Sequence, residues 1–198
     1  MNKGEGKSVL DAALVATRPR LQAVLVAALV GVVTGAAAIA FREAFSGLQL
    51  LLFGVPLDDA EAVTLRVHPG LLLAIPAVGG LVTGLICYWL LPERRPQGVA
   101  DAMESAALRG GLLDLRTGLA AAAASIVSLG TGASVGREGP MIHLGATVGS
   151  WLTRTLGLSA TFSRRMLACG AAAGVAASFN APIAGVIFAV EVVVGRYT

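Results

Sequence analysis

The sequence predicts an all-α membrane protein of tilted, broken and re-entrant helices, on three observations. The 198 residues are 56% hydrophobic and only 14% charged, with a mean hydropathy of +0.77, whereas a soluble domain carries about a quarter charged residues. Glycine is abundant at 25 residues and aromatics are scarce at 5%, a mix that suits membrane helices whose backbones approach through small residues. Prolines and glycines interrupt apolar blocks that would otherwise be simple spans. Broken helices at membrane depth are tolerated only where they line a cavity or lie within protein.

Residues 1–20 read as an N-terminal arm. Lys3, Lys7, Arg18 and Arg20 place it on the cytoplasmic side, and residues 1–17 lack the apolar core of a signal peptide. Residues 21–41 carry no charge and are long enough to span. Arg42 and Glu43 close that block, and 44–53 is a shorter apolar stretch. Residues 57–69 form a polar loop with Asp58, Asp59 and Glu61 against Arg66, expected on the outer side. Residues 70–91, including Pro76, form a second uncharged span, and 92–116 a charged, amphipathic connection. Residues 118–135 are Ala- and Ser-rich, with a low-complexity but helical run at 120–124. Residues 151–165 are a polar connection holding Arg154, Arg164 and Arg165. The last block, 166–194, is interrupted by Asn180-Ala181-Pro182. Pro182 should divide it near Phe179, because the residue before a proline disfavours the helical region.

Five glycine pairs have small-xxx-small spacing: Gly31/Gly35, Gly80/Gly84, Gly132/Gly136, Gly145/Gly149 and Gly170/Gly174. Each pair is expected on one helix face, favouring tight crossings. The first two pairs share the phrase Gly-x-Val-Thr-Gly, which we read as similar packing rather than a repeat.

The stretch with the most chemistry is Gly136-Arg137-Glu138-Gly139-Pro140, within the apolar region 119–152. Ionisable groups at membrane depth point to an ion path, a proton relay or a counter-ion. Pro140 fits the first turn of a helix and not its interior. We therefore expect residues 136–139 to be non-helical and 140–152 to be helical, with free amides at the helix start forming an anion-favouring site beside Glu138. The alternative is a structural Arg137–Glu138 ion pair, although neighbouring side chains on a helix diverge.

Other functions find little support. A net charge of +3 is too slight to argue for nucleic acid. Cys87 and Cys169 read as small buried hydrophobes, and His143 as a packing residue. No His, Cys and carboxylate cluster has metal-ligand spacing, so neither metal nor cofactor is expected. An intramembrane enzyme using Glu138 and His143 would lack a nucleophile or a second metal ligand.

Two motifs carry a family resemblance. Gly136-Arg137-Glu138-Gly139-Pro140 followed by Gly145, and Gly170-Ala171-Ala172-Ala173-Gly174 leading to Phe179-Asn180-Ala181-Pro182-Ile183-Ala184-Gly185, resemble the CLC chloride channels and proton-coupled chloride transporters. Residues 21–41 and 70–91 match more loosely. The resemblance implies a homodimer with one anion pore per subunit, each subunit made of two inverted halves. Residues 21–198 would be the first half of that inverted-repeat transmembrane domain. The second half, with a further helix N-terminus and a pore tyrosine, would be absent. It also implies a multi-pass protein of the inner cell membrane, embedded in the lipid bilayer, that transports chloride or a similar small anion as a voltage-gated-like channel or a transporter.

By the same resemblance Glu138 matches the gating glutamate, whose carboxylate competes with the anion and takes up protons. Gly136, Arg137, Gly139 and Pro140 match the backbone that shapes the anion site. Pro96-Gln97-Gly98-Val99-Ala100-Asp101 stands where the family has Gly-Ser-Gly-Ile-Pro, so Gln97 replaces the coordinating serine and Ala100 the proline. Gln97 and Gly98 are candidate anion ligands, since an amide N–H can donate to an anion; Gln97 as a plain helix cap is the alternative. Val192 stands where coupled transporters carry a proton-relay glutamate, and Glu191 lies about 100° away around a helix. The resemblance therefore implies anion transport without strict proton exchange. The alternatives are a proton-coupled antiporter with an unconventional proton route, and a truncated, non-conducting packing partner.

Overall fold

The computed structural model describes residues 3–54 and 67–195. Among them the only regular structure is helical: α1 Lys3–Phe53, α2 Pro69–Leu90, α3 Val99–Leu108, α4 Leu115–Gly130, α5 Glu138–Thr155, α6 Ala160–Phe179 and α7 Pro182–Phe188, followed by a π-helical segment Ala189–Val193. The predicted all-α membrane class holds. Leu21–Phe53 and Pro69–Leu90 are long and apolar enough to cross a membrane.

The first span differs from expectation. Arg42 and Glu43 do not close it; one helix runs through them to Phe53. Both residues are good helix formers, and both are exposed, so neither meets an obstacle. The helix ends before Gly54, whose φ of +71° suits glycine. Of the predicted polar loop 57–69, residues 57–66 lie outside the described residues, and Pro69 already opens α2. His68 caps that helix by accepting from the Gly70 amide through Nδ1 at 3.1 Å.

Two predicted connections contain helix. The 92–116 segment holds α3, and the 151–165 segment is helical except at 156–159, because Trp151 and Arg154 continue α5. That short link turns at Gly157, with φ +65°, and Ser159 caps α6 by accepting from the Phe162 amide at 3.4 Å. α5 starts at Glu138, two residues earlier than expected, so Pro140 is its third residue. The non-helical link is 131–137 rather than 136–139. The break at Pro182 falls as predicted: Asn180 ends α6 in the left-handed region at φ +53°, and Pro182 begins α7.

The core is organised by α5 and α6. They cross antiparallel through the Gly145/Gly149 and Gly170/Gly174 pairs. A Cβ on Gly145 would strike the Gly170 carbonyl, and one on Gly170 the Gly145 carbonyl. A Cβ on Gly149 would strike the Met166 carbonyl, and one on Gly174 would come within 2.6 Å of the Met141 carbonyl. The backbones therefore touch directly. The other pairs do otherwise. Gly31, Gly35, Gly80 and Gly84 face open space, and Gly132/Gly136 sits in the non-helical link, not on a helix face.

The remaining helices pack around this crossing. Ala102 and Ala106 of α3 join Ile142, Ala146, Leu167, Ala171 and Val175 in the largest apolar cluster, which Ala189 and Val193 close. Val26 and Val30 of α1 meet Leu152 and Met166. Phe41 and Phe45 meet Ala122, Leu129, Met141 and Leu144. α2 lies on α4 through Cys87, Ala120, Ala121 and Ala124. Buried hydroxyls fasten the 109–114 bend to the crossing. Ser150 Oγ accepts from the Leu113 amide at 2.8 Å, Ser163 Oγ donates to the Gly111 carbonyl at 2.9 Å, and Thr153 Oγ1 donates to Ser163 Oγ at 3.0 Å.

The crossing generates a test. Gly170→Ala and Gly145→Leu force apart two touching backbones and should cost about 2–3 kcal/mol or prevent folding. Gly31→Ala should be neutral or stabilising by up to about 1 kcal/mol. Thermal unfolding in detergent measures both; equal behaviour of the two classes would contradict the crossing.

Candidate functional site

The starts of α3 and α5 converge, together with α2 and α4, on a cavity of about 310 Å³. Gln97 and Gly98 line it from the start of α3, and Gly136 and Pro140 from the approach to α5. Thr83 of α2 and Ser125 and Ser128 of α4 add hydroxyl-bearing walls. Four of the residues singled out in the sequence thus share one space.

Glu138, the first residue of α5, is half-buried rather than buried. Its carboxylate folds back toward the chain: Oε2 would stand 2.7 Å from a Cβ placed on Gly136. Gly136 lines the cavity but Glu138 itself does not, so the carboxylate is beside the cavity only through its approach to Gly136. Among the described residues the Glu138 and Gly139 amides are the free donors of this helix start. Pro140 has none, and the Met141 amide reaches the Arg137 carbonyl at 3.4 Å. Orphan amides and the helix dipole favour negative charge there. Gly139 is half-buried, and a Cβ on it would meet open space.

Arg137 is separated from this group. It is exposed at the N-cap of α5 with no side-chain capping bond, and it lines a different cavity together with Arg42. It forms no ion pair with Glu138 among the described residues.

The start of α3 is organised by a residue the sequence reading passed over. Asp101, only 9% exposed, accepts from the Gly98 amide through Oδ2 at 2.7 Å and pairs with both Arg95 nitrogens at 2.8 and 3.3 Å. Gly98 is the N-cap and Asp101 the N3 residue of a capping-box arrangement. Gln97 precedes the cap and is half-buried on the cavity wall. Burial pushes the Asp101 carboxyl up, but the Gly98 amide and the Arg95 guanidinium outweigh it and hold the group below its ordinary value. The signal lay in Gly98-Val99-Ala100-Asp101, a cap residue followed by an acid three positions later, with Arg95 nearby.

Toward the other end, Val192 and Glu191 lie in the π-helical segment and not in a regular α-helix. Glu191 is exposed and Val192 half-buried. His143 is 2% exposed on α5, and its Nε2 has no hydrogen-bond partner among the described residues. Among the described residues no three His, Cys, Asp or Glu side chains gather as a metal site.

The Asp101 arrangement predicts that Asp101→Asn lowers stability by about 1–2 kcal/mol near neutral pH. Its folded-state pKa lies below the ordinary 3.8. The contribution is therefore complete above that ordinary value and is lost as pH falls through the lowered one. Thermal melts in detergent from neutral to acidic pH should show the two proteins converging at the acidic end. A gap that stays constant would contradict the assignment.

The family profile described as "Voltage gated chloride channel" matches residues 79–198. The "Putative chloride channel protein ClcB-like" of Ralstonia nicotianae is 41% identical over 178 residues, covering 87% of this chain and 41% of that protein. The "Voltage-gated ClC-type chloride channel ClcB" of Escherichia coli is 33% identical over 173 residues, covering 86% and 41% respectively. The protein of the same name in Yersinia pestis is 30% identical over 177 residues, covering 88% and 42%. The chain spans about two fifths of the length of these relatives.

Proposed function

The chain belongs to the voltage gated chloride channel family, and from that premise we propose that it forms part of an anion pathway with Glu138 as the gate. One observation carries the reading: Gln97, Gly98, Gly136 and Pro140 line a single cavity, and the Glu138 carboxylate, which does not itself line it, lies against Gly136. The relatives' names speak of chloride, and chloride is the anion we assign here. The protein acts as a multi-pass homodimer in the bilayer of the inner cell membrane, with no cofactor and no enzymatic step.

The two helix starts at the cavity differ in kind. At α3 the Gly98 amide is taken by Asp101, so an anion there relies on the Gln97 amide group. At α5 the Glu138 and Gly139 amides are free for an anion or for Glu138's own carboxylate. Negative charge at that helix start is favourable whichever carrier supplies it, so carboxylate and chloride compete. Protonation of Glu138 removes its claim and opens the path.

Glu138→Gln imitates the protonated gate. In liposomes reconstituted with the protein, it should abolish pH-dependent activation of chloride efflux while leaving efflux at or above the wild-type level. Unchanged pH dependence would remove Glu138 from this role.

Coupling follows from the inner end. Val192 has no titratable group, and Glu191 is exposed beside it in the π-helical segment. We assign chloride movement without strict proton exchange. A chloride gradient across such liposomes should collapse with no sustained change of external pH. Uphill proton movement at fixed stoichiometry would establish a proton route that bypasses Val192.

A further inference from the structure

Arg137 leaves the anion cavity and meets Arg42 in another one, of about 380 Å³, between α1, the start of α5 and the end of α6. The two residues are 95 positions apart in sequence, so the fold alone brings them together. No carboxylate lines this cavity, and neither guanidinium has an acidic partner within 4.0 Å among the described residues. Two cations sharing one concavity repel each other unless an anion joins them. Apart from Ser178, whose hydroxyl donates to the Gly174 carbonyl at 2.9 Å, the other walls are apolar, with Ile39, Phe41, Phe45 and Met141 the largest.

We propose that this cavity binds the phosphate headgroup of an anionic phospholipid, its acyl chain lying along the apolar wall. Three features select that occupant. Guanidinium pairs phosphate oxygens bidentately, and two of them suit one phosphate. The wall of Phe41, Phe45 and Met141 suits hydrocarbon and offers nothing to a small hydrated anion. Length agrees as well: residues 21–41 carry no charge and extend about 32 Å along α1, enough to cross a hydrocarbon core of roughly 30 Å before Arg42 is reached. Both arginines are exposed, as a site open to the headgroup layer requires. The inference rests on the membrane class and not on the gating role of Glu138.

The test uses delipidated protein in neutral detergent. Phosphatidylglycerol, phosphatidylcholine and inorganic phosphate are each titrated, with binding read by native mass spectrometry. Phosphatidylglycerol should bind, phosphatidylcholine should bind much more weakly, and millimolar phosphate should not displace the lipid. Each basic contact to an anionic lipid is worth about a five-fold change in affinity, so Arg42→Gln should weaken phosphatidylglycerol several-fold. Arg42→Gln with Arg137→Gln should weaken it about ten-fold or more. Arg116→Gln, an exposed arginine outside the cavity, should change nothing. Arg42→Gln alone alters an exposed helical position, so the test survives if the double variant folds poorly. Equal lipid binding in wild type and Arg42→Gln, displacement by phosphate, or no preference over phosphatidylcholine would each overturn the proposal.

Discussion

The backbone contact between α5 and α6 is the constraint on which the rest of this structure depends. Four glycines cost helix propensity, roughly 1 kcal/mol each relative to alanine, and in lipid no hydrophobic force draws two apolar helices together. Close backbone approach offsets this by letting the walls of two helices meet along Gly145, Gly149, Gly170 and Gly174. Once that pair is fixed, α3 has a floor in Ala146, Leu167 and Ala171, and α1 has one in Leu152 and Met166. The start of α5, with Glu138 upon it, is held by the same contact, since Gly174 sits against the Met141 carbonyl one turn inside that start.

The charges near the cavity are sorted by how each helix start is satisfied. α3 carries its own acid at N3, held by Arg95, so its first amide is neutralised from within. α5 has Gly139 and Pro140 where such an acid would stand. A carboxylate at N1 cannot cap its own turn as one at N3 can. Asp101 is thus tied to Gly98 and Arg95, whereas Glu138 takes no part in capping its own helix among the described residues.

Much of this was legible in the sequence because proline acts locally. Pro140 and Pro182 announced two breaks from their missing amides alone, and only the start of α5 shifted, by two residues, because Glu138 and Gly139 tolerate helical geometry ahead of a proline in the first turn. Charge was the poorer guide. Arg42 and Glu43 looked like a boundary, yet α1 runs through both to Phe53. Glycine spacing was ambiguous in a chain this rich in it: the phrase shared by Gly31/Gly35 and Gly80/Gly84 marks no contact, whereas the plainer pairs on α5 and α6 form the core. That Gln97, Gly98, Gly136 and Pro140 belong together was implied by the family resemblance and not by spacing, and the departure of Arg137 to a second cavity was not implied at all. Sequence neighbours one residue apart can point to opposite sides of a helix start, and only tertiary packing decides what each side holds.

The length of α1 has a mechanical consequence. Its apolar part, Leu21–Phe53, has 33 residues and so extends about 50 Å, against roughly 30 Å of hydrocarbon. A rod that long lies steeply inclined or protrudes, and its inclination follows the thickness of the bilayer around it. Phe41 and Phe45 of that rod bear directly on Met141 and Leu144, the first turns of the helix that begins with Glu138. That rod thus bears on the helix that begins with Glu138 at two levels, through the aromatic pair near its start and through Val26 and Val30 at Leu152 near its end.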